Sequence, residues 1–328
     1  MEKRNDTTSL LYITWLNGMG GNYLTTNPDT ARFFLSKALR INEKTGNDPE
    51  QRMRSCRSLA YVALFAKKYS EALPLFNKNI QIAKEWKTIP PFFLAQAYND
   101  LGYFYVTQTD EKLIYEAEKN YEKAYNILAQ HLPEHPQIVE TGYTLGYHQF
   151  RLGKYVSALP VLRKVLALCQ KTGNMARQID TYKLMGNILR EQGETDLAME
   201  QLKTASYLCE QKQILNPYVY NDLGLIYRDK KQYPEAIAIL RKSISLYYPD
   251  QAFDIASALY NIGCFHFDNQ QYDSAVFYLQ KIPNLPGHKD NQWLTFQQKY
   301  MLGLSYIQKG NLSGAEKETL RTLLADLH

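Results

Sequence analysis

Six glycines recur along the chain at a nearly constant interval. Gly102, Gly146, Gly186, Gly224, Gly263 and Gly303 lie 44, 40, 38, 39 and 40 residues apart. In most copies an alanine stands twelve residues further on: Ala158, Ala198, Ala236, Ala275 and Ala315. The same spacing joins Ala60 to Ala72. Three residues before the alanine comes a bulky residue (Tyr69, Tyr155, Tyr233, Tyr272, Leu312), and four after it Phe76, Leu162, Leu202, Leu240 or Leu279. A chain copied at a fixed period folds as a stack of one supersecondary unit, because a single copy cannot bury its own apolar face. A small residue in the middle of a first helix lets a second helix cross it closely, and the downstream alanine supplies the opposing small surface. Each copy therefore reads as an antiparallel helix hairpin.

Local signals agree. The turns are short and polar, as in Leu152-Gly153-Lys154-Tyr155 and Lys309-Gly310-Asn311-Leu312, with glycine placed to end a helix in the left-handed conformation. Asn27-Pro28, Asp48-Pro49, His135-Pro136 and Asn216-Pro217 put proline at a first helical position. No segment alternates as a strand does. Counting back 41 residues from Ala72 reaches Ala31, with Leu35 and Ala38 in phase, so a degenerate first repeat occupies residues 8–45. Regular repeats fill 46–310 and a terminal helix 311–328, within a single solenoid over 1–328. After Gly102 the expected alanine is Ile114, and Ala117 implies three inserted residues near Gln108 to Lys112, with Ala124 as the other choice. The expected fold class is all-α: a right-handed superhelical solenoid of about eight antiparallel helix pairs.

Tyr98, Leu101, Gly102 and Tyr105, then Tyr220, Leu223, Gly224 and Tyr227, then Leu302, Gly303 and Tyr306 resemble the first-helix signature of the tetratricopeptide repeat family. The likeness runs over nearly the whole chain. The period exceeds the family's usual length of about 34 residues, which is similar to the longer-helix variety of peptide receptors and motor-cargo adaptors. The run Tyr23 to Ala31 is also similar to the first repeat of sensory tetratricopeptide regions in bacterial signalling proteins.

Composition excludes several classes. Hydrophobic residues make up 45% and charged residues 22%, so the chain can build a core. The formal net charge is +5 with no run of like charges, which argues against nucleic acid. No window of ~18 apolar residues would span a bilayer, and the start is a poor signal peptide; the expected location is cytoplasmic, or periplasmic or extracellular if a leader was removed. Cys56, Cys169, Cys209 and Cys264 are widely spaced, and the stacked positions of Cys169 and Cys209 predict free thiols. His131-Leu132-Pro133-Glu134-His135 matches an inverted zinc-protease motif in letters only, since Pro133 breaks the helix the motif needs. Gly18, Gly20 and Gly21 follow no strand and read as a turn. No metal, cofactor or catalytic residue is expected.

On each first helix the positions four before, one before and three after the glycine go to the core. The positions six, three and two before it, and one and four after it, then line a concave wall. They supply Arg54, Arg57 and Tyr61; Asn99 and Tyr103, with Gln96 and Asp100; Tyr143 and Tyr147, with Glu140 and Thr144; Lys183 and Asn187, with Asp180 and Arg190; Asn221, with Tyr218, Asp222 and Arg228; and Tyr260 and Asn261, with Ser257. Asn can clamp a bound backbone as donor and acceptor, and Tyr offers contact area at low entropy cost. The same residues could instead satisfy inter-helix contacts. Lys183 and Asn187 resemble the first pair of the family's carboxylate clamp, but Asp222, Ser257 and Asn261 depart from the rest, so a chaperone-tail receptor is not expected.

The expected function is a non-enzymatic scaffold binding a protein or peptide in its groove, as the sensory or adaptor part of a bacterial signalling system. The alternative is a regulatory subunit controlling a separate enzyme or DNA-binding effector. Leu320, Leu323, Leu324 and Leu327 form a stripe on the last helix that would suit a homodimer.

Overall fold

The computed structural model describes residues 10–45, 48–108, 110–285 and 291–326. Among them the chain is all-helical, forming hairpins one after another. The pairs are α1 (Leu10–Asn22) with α2 (Pro28–Thr45), α3 (Pro49–Phe65) with α4 (Tyr69–Glu85), α5 (Pro91–Val106) with α6 (Leu113–His131), and α7 (Pro136–Arg151) with α8 (Tyr155–Thr172). They continue as α9 (Met175–Glu191) with α10 (Thr195–Lys212), α11 (Pro217–Asp229) with α12 (Tyr233–Leu246), α13 (Ala252–Asp268) with α14 (Tyr272–Leu279), and α15 (Gln292–Lys309) with α16 (Gly314–Asp326). Two compact units divide the chain, Met1–Leu168 and Cys169–His328, the boundary falling inside α8. No helix among the described residues is long and apolar enough to cross a membrane.

The glycines do what their spacing predicts. In the first unit a Cβ built on Gly20 would stand 2.4 Å from Leu35 Cγ, on Gly102 3.0 Å from the Tyr121 ring, and on Gly146 2.7 Å from Leu162. In the second unit the same contact is 2.8 Å for Gly186 to Leu202, 3.0 Å for Gly224 to Leu240 and 2.7 Å for Gly263 to Leu279. Each partner lies four residues after a fully buried alanine: Ala31, Ala117, Ala158, Ala198, Ala236 and Ala275. Tyr121 thus selects Ala117 as the register residue of the third hairpin, and Ala124 packs two turns beyond Ala117.

The last hairpin departs from expectation. Ala315 is exposed, and the nearest atom to a Cβ on Gly303 would be Leu320 Cδ1 at 3.8 Å. Relative to its alanine, α16 starts two residues later than α8 does, at Gly314, so Ala315 falls in its first turn. Leu323 joins the core around Leu294, Leu302 and Tyr306, and Leu320 packs against it, leaving Leu324 exposed. Leu327 lies outside the described residues.

Helix starts follow their caps. The Asp48 carboxylate accepts from the Gln51 N–H at 2.8 Å, Asn27 Oδ1 from the Thr30 N–H at 3.1 Å, and His135 Nδ1 from the Gln137 N–H at 3.1 Å. Asn216 is the exception: its amide donates to Asp180 instead of capping α11. Five residues before the repeat alanine, the turn needs a left-handed residue. Gly153 (φ 69°) and Gly193 (φ 81°) meet this freely, whereas Lys67, Lys231 and Gln270 adopt φ of 56°, 58° and 60°. Relief of left-handed strain outweighs the added chain entropy, so Lys231→Gly is expected to raise stability by about 0.5–1 kcal/mol. A denaturant midpoint that falls instead would contradict this.

One buried group makes stability pH-dependent. His148, 3% exposed, stacks on the Tyr121 ring at 5.1 Å, and its Nδ1 is sealed without a partner. Burial, helped by Arg151, lowers its pKa from 6.5 to about 4. The unfolded chain therefore takes up a proton below pH 6.5 while the folded one does not, so stability is present above pH 6.5 and is lost as pH falls toward 4. The expected loss is about 3 kcal/mol, and His148→Phe should flatten that part of the pH profile in urea unfolding.

Candidate functional site

In the first unit the predicted inner positions converge. The Arg57 guanidinium reaches Asp100 through Nε at 2.5 Å and Nη2 at 3.1 Å, and the Tyr61 hydroxyl donates to the same carboxylate at 2.7 Å. Asp100 is 4% exposed. Burial raises its pKa above the ordinary carboxylate value, while Arg57 and Tyr61 pull it back. Burial and the neighbouring Asp100 charge raise the Tyr61 phenol. Asn99 Nδ2 donates to Thr141 Oγ1 at 2.8 Å, and its Oδ1 is sealed without a partner. Tyr103 stands beside Tyr61, ring centroids 6.1 Å apart.

These groups open onto a cleft of about 210 Å³ lined by Tyr61, Asn99, Asp100, Tyr103, Tyr121, Gln137, Glu140, Thr141 and Thr144. α3, α5 and α7 supply all but one of these side chains; Tyr121 enters from α6. Tyr147, one turn along α7 from Tyr143, is exposed against His148, and Tyr143 is half-buried. Arg54 is ion-paired with Glu50 at 2.8 Å, one turn back on α3.

In the second unit the inner positions spend themselves on one another. Asn187 Nδ2 donates to Asp222 Oδ2 at 2.8 Å, and Asn261 Nδ2 to Asn221 Oδ1 at 3.3 Å. The Tyr260 hydroxyl donates to Gln297 at 3.3 Å, and the Lys183 ammonium lies 5.3 Å from the Tyr218 ring centroid. Burial raises the Asp222 carboxyl, opposed by Lys183 and by the Asn187 amide. Arg190 pairs with Asp229, and Arg228 with Asp268 at 2.8 Å. The set ties α9 to α11, α11 to α13 and α13 to α15. The lysine and asparagine that resemble a clamp face a carboxylate of this chain.

Sequence reading missed several groups. Tyr121, Gln137 and Thr141 line the cleft; the signal for Tyr121 was a hydroxyl-bearing aromatic residue at the position four after the repeat alanine, where other copies hold leucine or phenylalanine. On α15, Trp293, Phe296, Tyr300 and Ile307 form an exposed apolar row. Tyr300 and Ile307 fall three before and four after Gly303, so the inner-wall rule extended by one repeat would have found them.

The four cysteines are buried free thiols. His131 ends α6 and His135 caps α7, and among the described residues no group of three or more His, Cys, Asp or Glu is placed to hold a metal ion.

Residues 217–249 and 256–282, which take in α11 with α12 and all but the first turn of α13 with α14, match the tetratricopeptide repeat family. These two hairpins are tetratricopeptide repeats. The other hairpins share the tetratricopeptide fold with solved structures. The apo form of RapI superposes with a TM-score of 0.72 at 12% identity, covering 96% of this chain and 86% of that one. A signal-transduction ATPase with numerous domains and a tetratricopeptide repeat sensor, from Pyrococcus horikoshii, gives 0.65 at 13% identity over 99% of this chain and 53% of that one. Among curated proteins, the BBSome complex member BBS4 of Bos taurus is 27% identical over 166 residues, which span 50% of this chain and 28% of that protein. Tetratricopeptide repeats are scaffolds for protein interaction, and the helical stacking here is of that kind.

Proposed function

We propose that this tetratricopeptide chain is a non-enzymatic scaffold that binds an extended polypeptide along the inner wall of its first unit. The reading is carried by the cleft between α3, α5 and α7. It joins exposed tyrosine faces to amide, hydroxyl and carboxylate groups, which suits a peptide backbone and places no nucleophile beside a base. Tyr103 and Tyr147 are the ligand-facing residues; Arg57 and Asn99 hold the wall; Tyr143 shapes it from a half-buried position. The second unit's Lys183, Asn187, Asn221, Tyr260 and Asn261 act chiefly as ties between repeats.

The role is sensory or adaptor. A sensor-bearing signalling ATPase whose fold matches 99% of this chain supports that role, and control of a separate effector is the second form it would take. Among the described residues of the stripe, a homodimer through the C-terminal helix has only Leu324 in its favour, since Leu320 and Leu323 turn inward.

The test is a displayed peptide library selected on the wild-type chain, with the hits titrated against a Tyr103→Ala, Tyr147→Ala double variant. Binding weakened by about tenfold or more with unchanged melting supports the reading. Equal affinity would remove the inner wall as the site.

A further inference from the structure

Seven residues after the repeat alanine, every copy but the last turns a side chain into its hairpin core, from the second helix or, for Ile282, from just past the end of α14. Ala38, Ala124, Val165, Ala205 and Ile282 occupy this position fully buried, and Ser243, also buried, donates to the Pro217 carbonyl at 2.8 Å. In α4 the residue is Asn79, 2% exposed, with its Oδ1 sealed from solvent and without a hydrogen-bond partner. A buried amide left unsatisfied costs stability that alanine would not. Breaks of a repeat's own rule at such cost mark functional positions.

Asn79 lines a second cleft of about 300 Å³ with Met53, Arg54, Arg57, Ser58, Phe92, Phe93 and Gln96. Phe92 and Phe93 are braced by ring contacts with His135 and Trp86, at 5.1 Å and 5.5 Å between centroids. Phe92 and Phe93 lie in the first turn of α5, whose N-cap residue Pro90 makes no side-chain cap, so the partial positive charge of the helix end is not offset there. Arg54 is exposed and paired only within its own helix, so a ligand carboxylate can compete with Glu50 for it. Arg57 is committed to Asp100 and contributes its stem.

We propose that this cleft is a pocket for one aromatic residue of a bound peptide, with a carboxylate next to it. The ring would pack on Phe92, Phe93 and Met53, a turn of the Asn79 side chain would bring its Oδ1 out of its sealed position to accept from the ligand's backbone N–H, and the carboxylate would meet Arg54. The pocket rests on the peptide-binding reading but lies apart from the Tyr103 cleft, so the two can fail separately.

The probes are acetyl-phenylalanine, whose carboxylate is a chain terminus, acetyl-Phe-Asp-amide, whose carboxylate is a side chain, and acetyl-phenylalanine amide, which has none. Binding to the full chain is followed by nuclear magnetic resonance titration. Ligands of this size should bind with Kd of about 1 mM. The expected result is saturable binding of one or both acidic probes, the stronger one naming the source of the carboxylate, and binding of the amide weaker by about tenfold. Arg54→Gln should abolish the preference for acidic probes. Asn79→Ala should weaken them by about tenfold while the melting temperature stays equal or rises, since Ala38, Ala124 and Ala205 fill this position in other copies. Absence of saturable binding, equal binding of the amide probe, or an Asn79→Ala variant that binds as the wild type does would each overturn the proposal.

Discussion

Gly224→Leu is expected to destabilise the second unit by about 3 kcal/mol or more. A Cβ at this position would already stand 3.0 Å from Leu240 Cγ, 3.2 Å from its Cδ2 and 3.4 Å from the Ala236 carbonyl oxygen. Leu240 is fully buried in a packed core, and the carbonyl belongs to the backbone of α12. The rest of a leucine side chain must push α11 and α12 apart, and the core of Ala236, Ile237, Leu240, Ile262 and Phe265 then loses its packing. In a repeat stack this damage spreads to nearest neighbours first. Hydrogen exchange should therefore show protection lost from residues 217 to 246 before the rest of the unit. A melting curve like the wild type's would mean that the glycine contacts do not set the hairpin spacing.

Removing Asp100 should cost the first unit about 3 kcal/mol. Its carboxylate takes two guanidinium contacts from Arg57 and one hydroxyl from Tyr61, all from α3, so Asp100→Ala strands a cation and a phenol at once. Arg57 is 39% exposed, which lets water recover part of the loss and keeps the figure at the low end for a broken buried pair. The Arg57→Ala, Asp100→Ala pair should be less destabilised than Asp100→Ala alone, because no unpaired charge remains. Additive losses in urea unfolding would show that the two side chains do not act as a unit.

Much of the architecture was legible because hairpin packing is local in sequence. Gly186 and Leu202, or Gly263 and Leu279, meet sixteen residues apart within one copy, so a fixed spacing between a small residue and a large one already encodes the crossing. The third copy shows how far this reaches: the three-residue shift to Ala117 is borne out by the contact of Gly102 with Tyr121. The last copy shows where it stops. There the spacing from Gly303 to Ala315 persists, yet α16 starts late and Ala315 is exposed, because where a helix begins depends on its turn and not on the period.

The inner wall divides differently. Sequence alone placed Asn99, Tyr103, Asn187 and Asn221 on one face, since that follows from the 3.6-residue turn. Which of them stay open to a ligand depends on what stands opposite on the next hairpin, about 35 to 42 residues away: Thr141 for Asn99 and Asp222 for Asn187. Short amides reach across and are consumed as ties. Tyr103 and Tyr147 meet the rings of Tyr61 and His148 and keep their other faces exposed. Asn79 is the reverse case. The repeat marks its position as core, and only the packing of α3, α4 and α5 leaves a cleft beside it. The period therefore determined the hairpins, because each is held by contacts within one copy, and the tertiary stacking decided the binding surfaces, because those are made from side chains of neighbouring copies.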